Sequence, residues 1–202
     1  MKILVACEFS GIVTDAFNNQ GCDAVSCDLL PTEGNPLTHI QDDVLNHLNR
    51  QWDMMIAFPP CTHLSSSGAR WFKDKKEEQK EAIRFFLLLA NADIPRKGIE
   101  SSVGIMSTHF RKPDQYIHPW QFGHGETKKT CLWLKNLPLL KPTNIVSGRE
   151  PRIHRMPPSP DRGKERSRFY QGIAEAMASQ WSTLTRPDIV HGSPSRREPE
   201  VN

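Results

Sequence analysis

The sequence predicts an α/β domain built on a mostly parallel sheet, and three observations carry that expectation. Two apolar runs, Lys2-Ile3-Leu4-Val5-Ala6-Cys7 and Met54-Met55-Ile56-Ala57-Phe58, have the length of strands and no alternation. A strand that reads this way is covered on both faces, as strands of parallel sheets are. The first run is followed by a glycine-containing turn, a helical pattern and a further strand pattern, the order of a βαβ unit. The 202 residues suffice for one domain with a sizeable core and leave little room for two. The expected domain is 1–184, with 101–168 as a basic segment within it and 185–202 as a disordered tail rich in Pro, Ser, Arg and Glu.

In chain order, Lys2 to Cys7 is expected as the central strand. Ile12, Val13, Ala16 and Phe17 recur at helical spacing and end at Asn18-Asn19-Gln20-Gly21. Asp23 to Asp28 reads as the second strand and ends in a carboxylate, followed by a loop through Pro36. Asp42 and Asp43 precede a short helix that either of them can cap. Pro59-Pro60 stops the Met54 strand abruptly and presents Cys61 just beyond its end, where α/β sheets bind ligands. The polar loop Thr62-His63-Leu64-Ser65-Ser66-Ser67-Gly68 suits closure over a substrate, whereas a buried structural cysteine is the plainer use of a lone thiol. Asp74 to Asn91 is the clearest helix, with Ile83, Phe86, Leu87 and Ala90 along one face. Lys97 to Glu100 reads as a strand that delivers Glu100 to its end, in the place expected of a general acid. From Ser101 to Pro160 the pattern loosens, apart from a strand at Lys128–Lys135, and Ser167 to Trp181 resumes a helix.

The net charge of +3 is mild but unevenly spread. Arg149, Arg152, Arg155, Arg162, Lys164, Arg166 and Arg168 crowd one segment, which suits a polyanion or, more simply, a solvated face. Five cysteines match no zinc-ligand spacing, so no metal is expected and reduced thiols in a cytoplasmic protein are. No long apolar run or leader pattern is read, so no membrane partner is expected.

Taken together, these features resemble the cytosine-5 DNA methyltransferase family, and most closely its short phage and prophage relatives. Phe9-Ser10-Gly11 is similar to the family's opening Phe-x-Gly motif for S-adenosylmethionine, Asp28 to its ribose-binding acid and Asp43-Val44 to its adenine-contacting turn. Phe58-Pro59-Pro60-Cys61 is similar to the Pro-Cys loop, Glu100 stands where the family has Glu-Asn-Val, and Gly172 to Met177 resembles its closing helix. The resemblance implies a Rossmann-like S-adenosylmethionine-dependent methyltransferase fold with helices on both faces and a reduced target-recognition region. It implies Cys61 and Glu100 as catalytic residues. Phe9, Ser10, Gly11, Asp28, Asp43 and Pro59 would hold the cofactor. Ser65, Lys129, Arg152, Arg155 and Arg166 would meet DNA, expected as a duplex with its cytosine flipped out. The setting it implies is modification of phage or prophage DNA inside a bacterial host.

The departures generate expectations of their own. Val13 replaces the family's second glycine, so the cofactor turn must be built differently. Ser101 and Ser102 replace an Asn and the Pro of the short relatives, which predicts a loosely held cysteine loop and weakened turnover. The arginine-containing strand motif is absent, with Lys128 or Lys129 as its substitute. Two other functions stay open on the sequence: a DNA-binding relative that has lost turnover, and the same thiol chemistry on RNA or a nucleotide.

Overall fold

The computed structural model describes residues 1–71, 73–160 and 162–184, so the expected tail at 185–202 lies outside the described residues. The strands are β1 (Lys2–Ala6), β2 (Asp23–Asp28), β3 (His39–Gln41), β4 (Met54–Ala57), β5 (Arg96–Ser102), β6 (Gln115–Ile117) and β7 (Thr130–Lys135). They form one sheet in the order β3-β2-β1-β4-β5-β7-β6. β1 to β5 run parallel, and β7 is reversed against both β5 and β6. That order with one reversed strand is the Rossmann-like fold of the S-adenosylmethionine-dependent methyltransferases.

The absence of alternation in β1 and β4 has a direct cause. Ile3, Val5, Met54 and Ile56 enter one core, while Leu4, Ala6, Met55 and Ala57 enter another on the opposite face. The first core lies under α1 (Ile12–Asn19) and α6 (Gln171–Trp181), through Val13, Phe17, Ile173, Met177 and Trp181. The second lies under α2 (Lys76–Asn91), through Phe86 and Leu89, with Trp133 of β7 edge-on to Phe86 at 5.1 Å between centroids. Short helices α3 (Met106–His109), α4 (Arg152–Arg155) and α5 (Arg162–Ser167) occupy the connections.

Several boundaries differ from the sequence reading. The expected Ser167–Trp181 helix starts only at Gln171, after an extended Tyr170 at φ −91°, ψ 126°. The Asp42-Asp43 helix is a single 3-10 turn, Val44–His47. β5 runs two residues past Glu100, to Ser102, because its backbone pairs with β7 from Lys97 through Ser102. Lys97, buried within β5, donates to the carbonyls of Ala90 and Ala92 where α2 ends. Burial, aided by Lys135, lowers its pKa to about 8.

α6 lies close over the sheet at Gly98, where a Cβ would meet Ile56 Cδ1 at 3.3 Å and the Trp181 ring at 3.4 Å. Trp181 has no exposed surface, and its indole N–H reaches the Pro138 carbonyl at 3.1 Å. Trp181→Ala is therefore expected to lower unfolding free energy by about 3–5 kcal/mol, measured by urea denaturation. A loss below about 1 kcal/mol would mean that the α6 face relaxes to close the cavity.

Candidate functional site

The crevice beyond the carboxyl ends of β1, β4 and β5 is built from three loops. The first follows β1. Cys7 takes a positive φ of 59°, Glu8 turns inward, and Gly11 at φ 76° starts α1. The Glu8 carboxyl accepts from Val13 N at 2.6 Å, Thr14 N at 3.2 Å and the Thr14 hydroxyl at 2.6 Å, and Ser10 Oγ donates to it at 3.3 Å. Burial pushes its pKa up, against those four hydrogen bonds. In either protonation state it fills the start of α1, where dinucleotide folds leave bare N–H groups for a phosphate. The Val13 amide serves Glu8, while the Val13 side chain enters the core beneath α1. Burial and the neighbouring Asp28 push the Cys7 thiol up as well.

The loop after β2 covers this turn. Glu33 N and the Thr32 hydroxyl both donate to the Phe9 carbonyl, at 2.8 and 3.0 Å, and a Cβ on Gly11 would sit 2.9 Å from Gly34 Cα. Only glycine is compatible with that approach at a positive φ. Asp28 is half-buried at the end of β2 and accepts from Leu30 N at 2.9 Å, and burial raises its pKa. Asp43 accepts from Leu45 N at 2.9 Å, the capping role, with its second oxygen left over. Asp42 pairs with His47 at 2.8 Å.

Cys61 stands beyond β4, after a buried Pro59 and an exposed Pro60, as a half-buried free thiol. The structure places Ser102 against it, the hydroxyl donating to Sγ at 3.3 Å. The rest of the loop is braced by the chain that follows β5. Ser66 donates to the Val103 carbonyl from its amide and its hydroxyl, both at 3.0 Å, and Ile105 N donates to Leu64 O at 3.0 Å. Gly104 is needed there, since a Cβ would fall 1.9 Å from the Leu64 carbonyl oxygen. The amide expected to be missing is that of an Asn at position 101; the hydroxyl that reaches Cys61 belongs to Ser102, where the short relatives have Pro. Ser101 faces the other way, and its buried hydroxyl has no hydrogen-bond partner among the described residues.

Glu100 lies two residues before Ser102 and so on the same face of β5. It keeps some open surface, yet its carboxyl is withdrawn from bulk water. That desolvation raises its pKa, while Lys128 nearby and a hydrogen bond with Thr130 act in the opposite direction. The Thr130 hydroxyl also donates to the Lys128 carbonyl at 3.3 Å. It has one proton to give, so a protonated Glu100 leaves both bonds made.

Lys128 and Lys129 part company here. The Lys128 ammonium is the one near Glu100, 5.8 Å from the Tyr170 ring, whereas Lys129 is exposed over Tyr116. Of the other expected DNA contacts, Ser65 is half-buried and shares its hydroxyl with Ser67 at 2.9 Å. Arg152 is exposed but paired with Glu126 at 2.8 Å, which also takes the Tyr170 hydroxyl at 2.9 Å. Arg155 is exposed, and Arg166 is half-buried with its carbonyl taking the Lys128 ammonium at 3.4 Å.

Sequence reasoning missed the placement of Glu8, Ser102 and Glu33. Glu8 was signalled by its position two residues past the end of β1, and Ser102 by its spacing of two from Glu100 on a strand. Glu33 had no local signal, because its partners Lys164, at 2.7 Å, and Arg168, at 2.6 Å, are distant in sequence. Among the described residues no group of three or more His, Cys, Asp or Glu side chains could hold a metal ion, and no helix is long and apolar enough to cross a membrane.

No family model matches the sequence, and no curated protein matches it. Among solved structures, the chain is similar to one described as a DNA modification methyltransferase encoded within a prophage (E. coli), at 13% identity and a TM-score of 0.48, over 72% of this chain and 52% of that one. It is similar to S. pombe Dnmt2 methyltransferase at 12% identity and a TM-score of 0.48, over 76% of this chain and 53% of that one. A Spodoptera frugiperda DNMT2 variant gives 14% identity and a TM-score of 0.40, over 72% and 54%. The chain thus spans about half the length of the solved structures it matches.

The Ser102 bond yields a direct test. A hydroxyl donating to sulfur stabilises negative charge on it, by about 1 kcal/mol for an ordinary hydrogen bond. Ser102→Ala should slow iodoacetamide alkylation of Cys61 at pH 7 roughly fivefold, followed by peptide mass spectrometry, and Ser102→Thr should keep most of the rate. An unchanged rate in Ser102→Ala would leave the hydroxyl without influence on the thiol.

Proposed function

We propose that this protein methylates cytosine C5 in DNA, using S-adenosylmethionine and a covalent adduct of the base with Cys61, in the modification of phage or prophage DNA inside a bacterial host cell. One observation carries the reading: neighbouring parallel strands β4 and β5 lead into one crevice, the first toward a thiol that accepts a hydrogen bond from Ser102, the second bearing Glu100, whose pKa burial raises. A nucleophile and an acid on one crevice are what addition across C5=C6 of cytosine needs.

The residues present also suit the cofactor. A helix start filled by Glu8 excludes a pyrophosphate seat, and S-adenosylmethionine has no phosphate. Its positive charge is favoured beside Glu8, Asp28 and Asp43. Phe9, Ser10 and Gly11 would line its turn, Asp28 would hold the ribose, and Asp43 and Pro59 would border the base.

Cys61 adds to C6 as a thiolate, forming the S–C6 bond. The displaced π electrons pass through C4 to N3, which takes the proton of Glu100, and C5 becomes an enamine carbon. S-adenosylmethionine, when bound, supplies the methyl group that this carbon takes up. Loss of the C5 proton to solvent water re-forms C5=C6 and expels Cys61 as a thiolate, while N3 returns its proton to Glu100 and restores the acid. Lys128, beside Glu100, holds positive charge near the carboxylate that forms midway. In a duplex the cytosine must first leave the stack. The Ser102 contact favours turnover over the reading of a DNA-binding relative that has lost it.

Cys61→Ala is expected to abolish 5-methylcytosine, measured by mass spectrometry of DNA from expressing cells, and to leave cofactor affinity unchanged by calorimetry. A 5-fluorocytosine oligonucleotide should trap the wild type as a covalent band, because fluorine cannot leave as a proton. Methylation by Cys61→Ala would end the proposal.

Glu100 gives a pH prediction. Its raised pKa means that the folded state holds the proton more tightly than the unfolded state. The stability this confers is present below the ordinary glutamate range and lost as pH rises through the raised value. Glu100→Gln, neutral at every pH, should accordingly match the wild type in thermal stability near pH 4 and exceed it at pH 8. Its methylation rate should drop by about 10²–10⁴-fold, the range for removing a general acid. A variant less stable than wild type at pH 8 would mean that the carboxyl is ionised and paired in the fold.

A further inference from the structure

The three last strands of the sheet align Ser102, Thr130 and Ile117 in one row. Two strand spacings, about 10 Å, separate the residue that bonds Cys61 from the β6 edge. Lys129 and His118 adjoin that row in sequence, so the surface they start lies on the Cys61 end of the sheet.

This surface carries two cation–aromatic pairs. The Lys129 ammonium is 4.2 Å from the centroid of the Tyr116 ring, which is 45% exposed. The Arg149 guanidinium lies 3.8 Å from the Trp120 centroid, and the His118 ring stacks on the same indole at 5.8 Å with 24° between planes. After burial, Lys129 and Arg149 are the causes that lower the His118 pKa, so both pairs converge on one imidazole. Arg149 donates only to the carbonyls of Val146 and Gly148, and among the described residues neither cation forms an ion pair with a carboxylate. Arg152, Lys164 and Arg168 all do.

A purely structural role, blunting the β6 edge with a lysine, accounts for Lys129 alone. It does not account for a second, arginine-based stack on the same end, with its charge unspent.

Resting on the proposed cytosine chemistry, we propose that the Tyr116–Lys129 and Trp120–Arg149 pairs bind unpaired nucleotides next to the target cytosine, making single-stranded DNA the preferred substrate. One base stacks on the exposed face of Tyr116 as Lys129 swings to its phosphate, and the next stacks on the open face of the Arg149 guanidinium. Planar, sequence-tolerant contacts of this kind are how proteins hold single strands. A base within a duplex has both faces covered by its neighbours and gains nothing from such a platform. The distance suits this use, since about 10 Å is the span of two or three stacked nucleotides at 3.4 Å each.

The test is fluorescence anisotropy with a single-stranded DNA oligonucleotide of about twelve nucleotides containing one cytosine, and with its duplex. Tyr116→Ala and Arg149→Lys are each expected to weaken single-strand binding about tenfold and to leave duplex binding unchanged. Both variants keep the net charge, so the slope of affinity against salt should stay that of the wild type. Tyr116→Trp should restore binding. Single-strand affinity within about twofold of wild type in both variants, or equal losses on single strand and duplex, would overturn the inference. Wild-type protein that binds neither DNA would instead remove the DNA substrate itself, which the methylation assay decides separately.

Discussion

The Glu8 carboxyl at the start of α1 is the constraint from which the rest of the crevice is organised. By taking the amides of Val13 and Thr14 it sets where α1 begins, and it forces Phe9, Ser10 and Gly11 into a turn tight enough that only Gly34 can lie against Gly11. The Gly34 loop brings Glu33 to the rim, where it meets Lys164 and Arg168. Lys164 then stands 5.4 Å from the Phe9 ring, and Phe169 packs on Phe58 at 4.6 Å, just before the cysteine loop. Glu33 and its partners are partly exposed, so each pair contributes about 1 kcal/mol or less. Their effect is positional: the ends of β1 and β4 and the chain before α6 form one mechanical unit.

The cysteine loop depends on a second device, backbone rather than side chain. Two prolines stop β4, which would leave residues 61–68 without ladder partners. The chain after Ser102 supplies them through Val103, Gly104 and Ile105, and α2 adds a Gln79 contact to the His63 carbonyl at 3.2 Å. An asparagine amide is one way to hold such a loop. Here the same holding is distributed over main-chain bonds, and the serine hydroxyl is left free to address the sulfur itself.

What was legible in the sequence follows the strength of the local physics. β1, β2 and β4 are readable because burial on both faces removes alternation, and α2 because its apolar stripe is long. β3 and β6, three residues each, carry no period at all and exist only because a neighbouring strand offers an edge. The end of the Ser167 pattern failed because Tyr170 binds Glu126, a contact 44 residues away that outweighs helix continuation. Cys61 was readable from the stop that two prolines put on β4, whereas Glu100, expected at the end of its strand, lies two residues inside β5. Their neighbours were not: Lys128 and Lys129 precede β7, and which one turns toward Glu100 depends on strand parity that composition does not encode. The contact of Ser102 with Cys61 had no signal of its own, because the approach of β5 to the cysteine loop brings that hydroxyl to the sulfur.

Charge shows the same limit, and with it the direction of approach. Counting arginines from Arg149 to Arg168 suggests a strongly basic segment, yet Glu126 neutralises Arg152, and Glu33 takes both Lys164 and Arg168. Paired cations release few counterions and so contribute little to holding a polyanion. At the β6–β7 end of the crevice, Lys129 and Arg149 keep their positive charge without a carboxylate partner among the described residues. Acids concentrate on the opposite side, at Glu8, Asp28, Asp42 and Asp43, beyond β1 and β2. On the proposed function, an anionic strand would be drawn to one half of the crevice and a cationic, phosphate-free cofactor to the other, and the two would meet at Cys61.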